Sequence, residues 1–160
     1  MPIRDYNSFT KVYTEGVLGI VVQPIRRARG SKVEGNFDAK STAVLKNHTA
    51  YYARIVITNE SGNAMSLVMP RFDARRSGGG RPDVVLIGGD LAGCREISSP
   101  DAFDHKGARW VTCEVGVSSP SRPIQEIHYL APPYGKEIRL FDDPPPKFNR
   151  YYNLGAIVWY

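Results

Sequence analysis

Two cysteines and three histidines are the side chains of this 160-residue chain with the widest chemical repertoire. The histidines, His48, His105 and His128, lack the spacing of a zinc site and belong to no recognisable nucleophile motif. Cys94 and Cys113 do not form a Cys-x-x-Cys pair, the arrangement on which many zinc and redox sites depend. We therefore expect no enzyme, no metal site and no cofactor, and disulfide formation is the chemistry left to the cysteines.

The alternation of apolar and polar residues indicates where the two sulfurs lie. Residues 110–117 place Cys113 and three valines on one face of an extended segment, which is typical of a half-buried strand. Cys113 is therefore expected in the core, as a buried thiol or as half of a disulfide. Cys94 follows the apolar residues 84–87, interpreted as a neighbouring strand, so we predict that Cys94 and Cys113 are bonded. Such a bond indicates an oxidising compartment, and we expect a secreted or cell-surface protein.

Six arginines fall in two segments that the sequence predicts to be basic loops, residues 26–32 and 73–83. They are Arg26, Arg27, Arg29, Arg75, Arg76 and Arg81. Arginines in loops can contact phosphates, but a basic run this short is more often a solvated hairpin end. The net charge of +5 is spread over 21 basic and 16 acidic residues and points to no particular partner. The glycine triplet at residues 78–80 has no Gly-Lys-Ser/Thr after it and is not a phosphate-binding P-loop. Nucleic acid is not the expected partner, because the basic runs are short and fit solvated loops.

A strand over residues 51–59 is the element around which the others are expected to be arranged, because Tyr51, Ala53, Ile55 and Ile57 alternate along one face. Further strands are predicted at residues 17–25, 65–72, 84–87, 110–117, 124–130, 137–141 and 154–160. Residues 36–47 fit either a short strand or a helical turn opened by Ser41. About eight short strands separated by turn residues predict an all-β fold, an antiparallel β-sandwich.

Residues 1–16 contain Tyr6, Phe9 and Tyr13 without a helical or strand period. We interpret them as a flexible N-terminal arm that lies along the body of the protein or along a partner, with residues 17–160 as a single sandwich domain. No apolar run approaches the roughly 18 residues that span a bilayer, so no membrane span is expected. The start of the chain lacks the pattern of a signal peptide.

Several strand patterns together suggest a family. They are the run from Leu18 to Val22, Tyr51-Tyr52-x-x-Ile55-x-Ile57-x-Asn59, Phe103-x-x-x-Gly107-x-x-Trp110-x-x-Cys113, Ile127-x-Tyr129-x-x-Pro132 and Ile157-x-Trp159. In this order the chain resembles the immunoglobulin-like domains of actinobacterial secreted proteins and lipoproteins, including the mycobacterial immunogenic-antigen type, over most of residues 17–160. The resemblance implies an immunoglobulin-like sandwich, export, a disulfide across Cys94 and Cys113, and in most cases no enzymatic activity.

These features favour a noncatalytic extracellular protein-interaction module, an adaptor in a secreted assembly. The expected partner is another protein, held by the N-terminal arm or by a sheet edge. The alternative is a virion or phage structural protein that packs against copies of itself and turns its basic loops toward nucleic acid. Arginines clustered on one surface, with steeply salt-dependent DNA binding, would favour the alternative, and dispersed arginines the adaptor.

Overall fold

The computed structural model describes residues 1–7, 12–68, 70–86, 89–95, 97–131, 133–134 and 154–160, with the side chains of residues 5–7 excepted. In chain order the strands and the helix are β1 (Pro2–Asn7), β2 (Val12–Val22), β3 (Arg26–Arg29), β4 (Val33–Glu34), α1 (Ala39–Lys46), β5 (Thr49–Asn59), β6 (Phe72–Arg76), β7 (Asp90–Leu91), β8 (Arg109–Ser118), β9 (Ile124–Tyr129) and β10 (Ile157–Trp159). Single 3₁₀ turns occupy Gly30–Lys32, Ser77–Gly79 and Asp101–Asp104. The strands pair antiparallel, so the predicted all-β class is confirmed.

Strand β5 is the centre of the larger sheet, as its alternation predicted. One edge pairs with β8 from Thr49↔Ser118 to Thr58↔Arg109. The other edge pairs with β2 and β3, which lie end to end along it and are separated by Gln23, Pro24 and Ile25. The face carrying Ala53, Ile55 and Ile57 is fully buried, because both neighbours extend the sheet and a second sheet covers it.

The second sheet has the order β10-β9-β6 and packs over β5 and β8. Its apolar residues Ala74, Ile124 and Ile127 share a core with those of β5. Close approach depends on Gly116 of β8, where an added Cβ would stand 2.7 Å from the Cβ of Ala74. A side chain at this position would push the two sheets apart.

A smaller layer covers part of the opposite face of β5 and β8. It contains α1 and the paired strands β4 and β7, and its core comprises Val33, Leu45, Ala50, Leu91, Cys94, Cys113 and Val117. The helix begins after Asp38, whose carboxylate accepts a 2.6 Å hydrogen bond from the Ser41 N–H, so it starts before the turn predicted at Ser41. The helical alternative for residues 36–47 is confirmed.

The N-terminal residues form a hairpin, so the prediction that they lack strand structure is wrong. β1 pairs with β2 from Pro2↔Val17 to Asn7↔Val12, and the side chain of Ile3 is buried in the main core. Only Leu18 to Val22 of β2 pair with β5, so the outer part of the hairpin lies beyond the end of β5. The sequence gives no period here because Ile3 is the one deeply buried side chain among the described residues of β1.

Four other predictions need correction. Residues 26–29 are an edge strand instead of a basic loop, and residues 72–76 form β6 where a flexible loop was predicted. Residues 65–68 form a turn and no strand. The apolar segment at residues 84–87 makes only the isolated bridge Val84↔Val117 in its described part, and Val85 is 82% exposed. The strand predicted at residues 137–141 lies outside the described residues.

Candidate functional site

The free edge of β3 is the side of Arg26–Arg29 that faces away from β5, and no strand in the described parts of the chain pairs with it. The Gly30 N–H donates a 2.9 Å hydrogen bond to the carbonyl of His48, in register with the β3–β5 ladder. Antiparallel pairing alternates, so Arg26 and Ala28 direct their main-chain groups to β5, and Arg27 and Arg29 direct theirs outward. The outward groups on the free edge of β3 are therefore the N–H and C=O of Arg27 and the N–H of Arg29, because the Arg29 C=O belongs to the 3₁₀ turn that follows.

Arg26, Arg27 and Arg29 are all exposed, and none forms an ion pair within the described part of the chain. Arg27 and Arg29 stand opposite Tyr51 and Thr49 and so share the face of the sheet that turns toward β9, whereas Arg26 lies on the other face. Three positive charges thus line one short strand, and no carboxylate of the described residues lies within ion-pair distance of them.

A groove of about 1020 Å³ opens between the free edge of β3 and the start of β9. Its lining is mixed, with apolar and aromatic residues that include Ile25, Pro123 and Tyr160 beside the charged residues Arg26, Arg27 and Glu126. The Glu126 carboxylate is occupied by the N–H groups of Gly78 and Gly79. Among the described strands, β10 pairs with Ile127, His128 and Tyr129, and none pairs with Ile124 to Glu126 on that side. An extended segment placed here would meet main-chain groups of β3 and apolar side chains of both sheets.

The other predicted basic loop has a different environment. Arg75 pairs with Asp73, and its Nη1 donates a 3.4 Å hydrogen bond to the Gly79 carbonyl. Arg76 lies 3.4 Å from a carboxylate oxygen of Asp83, a side chain that is 9% exposed. The structure therefore does not bring the six predicted arginines together as one open basic surface.

Asp83 is a carboxylate that the sequence did not single out. It accepts a 2.9 Å hydrogen bond from the Ser119 N–H and lies 3.1 Å from Arg122. The Ser119 hydrogen bond, with smaller contributions from neighbouring serine hydroxyls and Arg122, lowers the pKa of Asp83 to about 2. Asp83 thus fixes the segment after β6 to the turn after β8.

Glu126 and His128 hold the glycine triplet against β9. The Glu126 carboxylate accepts hydrogen bonds from the N–H groups of Gly78 (2.7 Å) and Gly79 (3.1 Å), and it lies 2.7 Å from Nε2 of His128. Gly78 and Gly79 have φ values of +73° and +78°, which glycine adopts at little cost and which let successive N–H groups converge on one anion. These hydrogen bonds, that from His128 foremost, lower the pKa of Glu126.

Sequence reasoning missed this pair, although one signal was present. Residues two apart on a strand share a face, so the Glu126-x-His128 spacing alone places both side chains together. Their partners across β6, Arg75 opposite Glu126 and Asp73 opposite His128, depend on a register that the sequence does not show.

The three aromatic residues predicted to bind a partner do not form one observable site. The Tyr13 ring lies 4.1 Å below the guanidinium carbon of Arg4, an intramolecular cation–π contact. The backbone of Tyr6 belongs to β1, but its side chain and all of Phe9 lie outside the described residues.

The predicted disulfide is confirmed: Cys94 and Cys113 are bonded, with their Cα atoms 5.2 Å apart. The bond lies in the small layer, on the face of the larger sheet opposite the second sheet. Within the ranges described, no cluster of three or more His, Cys, Asp or Glu side chains is arranged to hold a metal ion. None of the described helices has the length and apolar character needed to cross a bilayer.

The chain matches no protein-family model, no curated protein and no solved structure.

Proposed function

We propose that this protein is a noncatalytic extracellular protein-interaction module, an adaptor that holds another protein along the free edge of β3. The observation that carries the proposal is the groove of about 1020 Å³ beside this edge. Exposed edges are normally blunted or covered, because their unpaired main-chain groups recruit other strands. An edge that borders a groove with apolar side chains in its lining is suited to recruiting one.

The extracellular part of the proposal is supported by the Cys94–Cys113 bond, since disulfides persist in oxidising compartments and are rare in the cytosol. The proposed fold is an immunoglobulin-like sandwich, for which two antiparallel sheets sharing one core are the supporting feature. The resemblance to actinobacterial secreted domains belongs to the same proposal.

The noncatalytic part is supported by what the buried acids do. Glu126 holds the glycine triplet, and Asp104 accepts hydrogen bonds from the N–H (2.6 Å) and the hydroxyl (3.0 Å) of Ser66. Both carboxylates have a lowered pKa because of these hydrogen bonds. A general acid needs a pKa near the working pH, so the direction of these shifts favours a structural role for both.

Site-specific photo-crosslinking in the native source tests the proposal. A photoreactive phenylalanine derivative replaces Gln125, an exposed residue in the groove, and in a matched control it replaces Lys40, an exposed residue of α1. We expect a covalent adduct with a distinct polypeptide from position 125 and none from position 40. Equal adducts from both positions, or none from position 125, would contradict a partner in the groove.

The virion alternative keeps weaker support. Its nucleic-acid surface needs several free arginines on one side, but Arg75 and Arg76 are engaged with Asp73 and Asp83. Neutralised guanidinium groups release few counterions on binding a polyanion, so these two would add little to DNA affinity.

A further inference from the structure

We infer that the partner segment bound in the groove is an extended acidic stretch with carboxylates at alternate positions, which adds to β3 as a further strand. This inference rests on the proposed function and names the chemistry of the partner. Three observations carry it: the outward main-chain groups of β3, the three unneutralised arginines, and the apolar residues in the lining of the groove.

The main chain sets the geometry of the partner. Arg27 presents its N–H and C=O at the free edge of β3, and Arg29, two residues on, presents its N–H. An incoming strand can satisfy both only if it is extended, which a helix is not. Strand addition of this kind draws affinity from main-chain hydrogen bonds and specificity from alternate side chains.

The arginines set the charge pattern. Directly opposed residues of adjacent strands lie on the same face, so the partner residues facing Arg27 and Arg29 are two apart and on one face. Opposite charges at opposed positions are favourable, and like charges are not. The pattern that fits is therefore Asp/Glu-x-Asp/Glu, with the intervening residue on the face of Arg26 and Ala28.

Basic residues on an edge strand also prevent self-pairing, and that role alone would require no ligand. The same arginines that repel a second copy of β3 attract an acidic strand, so protection and recognition are compatible. Protection does not explain the adjoining groove, where Ile25, Pro123 and Tyr160 offer apolar contacts to the side chains of a bound segment.

The first test uses the whole protein and a fluorescein-labelled peptide of eight residues in which glutamate and threonine alternate. A second peptide of the same composition, the repeat Glu-Glu-Thr-Thr, is the matched control, because no two of its glutamates lie two residues apart. We expect the alternating peptide to bind with at least about tenfold higher affinity in fluorescence anisotropy, because only it aligns carboxylates with both arginines. Equal binding of the two peptides overturns the strand-addition geometry.

The second test distinguishes the contribution of the Arg29 main chain to peptide binding from the contribution of its charged side chain. Its φ is −65°, the value that proline imposes, and its N–H points away from β5, so Arg29→Pro removes an outward donor without breaking the ladder. Arg29→Ala removes only the charged side chain. We expect Arg29→Pro to weaken binding of the alternating peptide about fivefold to tenfold more than Arg29→Ala. Equal losses overturn main-chain pairing at this edge.

A charge-reversal variant is the control in case the proline variant loses binding because it is misfolded. The double variant Arg27→Glu, Arg29→Glu should lose the glutamate peptide and gain an alternating lysine–threonine peptide that the natural protein should not bind. Misfolding would not produce such a gain. Retention of the glutamate peptide by this double variant contradicts the inference.

A single-stranded DNA oligonucleotide in the same assay tests the nucleic-acid reading. DNA binding that depends on Arg27 and Arg29, with no peptide binding, overturns the inference in favour of a phosphate ligand. An adduct from position 125 without affinity for the alternating peptide leaves the adaptor proposal in place and rejects only the acidic strand. Absence of both rejects the adaptor proposal itself.

Discussion

Among the described strands, β3 and β6 are the two that carry more than one arginine, and their environments are opposite. β6 lies against β9, whose Glu126 and His128 share a face with Arg75 and Asp73, and Asp83 follows closely in the chain. β3 lies against Thr49 to Tyr52 of β5, a stretch without a carboxylate. The difference shows that the arginines of β6 are neutralised by acids of their own segment, Asp73 and Asp83, whereas residues 26–32 contain no Asp or Glu.

We call the region around β6 the fixed side of the molecule and the region around β3 the open side. Around β6, ion pairs and the Glu126 hydrogen bonds hold a glycine-rich turn in one arrangement. Around β3, charge and main-chain groups remain available. Changes on the fixed side should therefore alter stability, and changes at β3 should alter binding.

The largest expected effect on stability comes from removing the Cys94–Cys113 bond. This bond lies outside β3 and β6, and its loss is the stability change with which the others are compared. Its loop spans 19 positions, and the chain-entropy model gives about 3 kcal/mol for a loop of this size. We expect the Cys94→Ala, Cys113→Ala double variant to melt lower by several degrees while the alternating peptide still binds. Thermal melts of the variant and of the natural protein measure the loss. Unchanged melting would contradict a stabilising role for the bond.

A smaller loss is expected from Glu126→Gln on the fixed side. Glutamine keeps the size but has one acceptor oxygen where Glu126 uses two, so the N–H of Gly78 or Gly79 loses its partner. We expect a loss of about 1–2 kcal/mol in chemical denaturation and faster hydrogen exchange of the glycine amides. The exposed Glu34, changed to Gln, is the matched control and should have little effect. If Glu34→Gln lost as much stability as Glu126→Gln, the loss could not be attributed to the hydrogen bonds from Gly78 and Gly79.

As the pH is lowered, peptide binding on the open side and stability on the fixed side should be lost in different pH ranges. The folded pKa of Asp83 is about 2, below its ordinary value of 3.8, so its stabilisation is complete above about pH 4 and is lost as the pH falls toward 2. Ligand glutamates have ordinary pKa values of about 4.3, so peptide binding at β3 should weaken already between about pH 5 and 4. Melting temperature and peptide anisotropy, each followed from pH 6 to 2, measure the two transitions. Asp83→Asn should flatten the first curve, and an unchanged slope would mean that Asp83 does not contribute.

The sequence predicted the elements whose own side chains carry the information. β5 and β8 alternate clearly because one face of each packs against the second sheet, and Cys113 followed from the same pattern. β6 also alternates, with Ala74 buried between Asp73 and Arg75, but its charged residues resemble a loop until Glu126 and His128 are placed opposite them. That information is long-range, so a single segment cannot supply it.

The candidate site was predictable only in part. The arginines of residues 26–29 were noted, but as a loop, because a strand whose residues are mostly exposed shows no apolar alternation. The groove is lined by β3 and by the start of β9, which are far apart in the sequence. No local pattern shows that these two segments lie close together.

The smallest expected effect is also the most direct test of the contrast between β3 and β6. Arg75→Ala removes a side chain that is 18% exposed and pairs with Asp73. We expect the free energy of unfolding to fall by about 1 kcal/mol, the upper end of the range for ion pairs that water partly screens. Arg27→Ala removes an exposed side chain without an ion pair among the described residues, so stability should change by less than about 0.5 kcal/mol. Peptide binding should show the reverse order, because only Arg27 borders the groove. Urea denaturation and anisotropy on the same two variants give both measurements. If Arg27→Ala cost more stability than Arg75→Ala, the free edge of β3 would be part of the framework, and the division between a fixed side and an open side would fail.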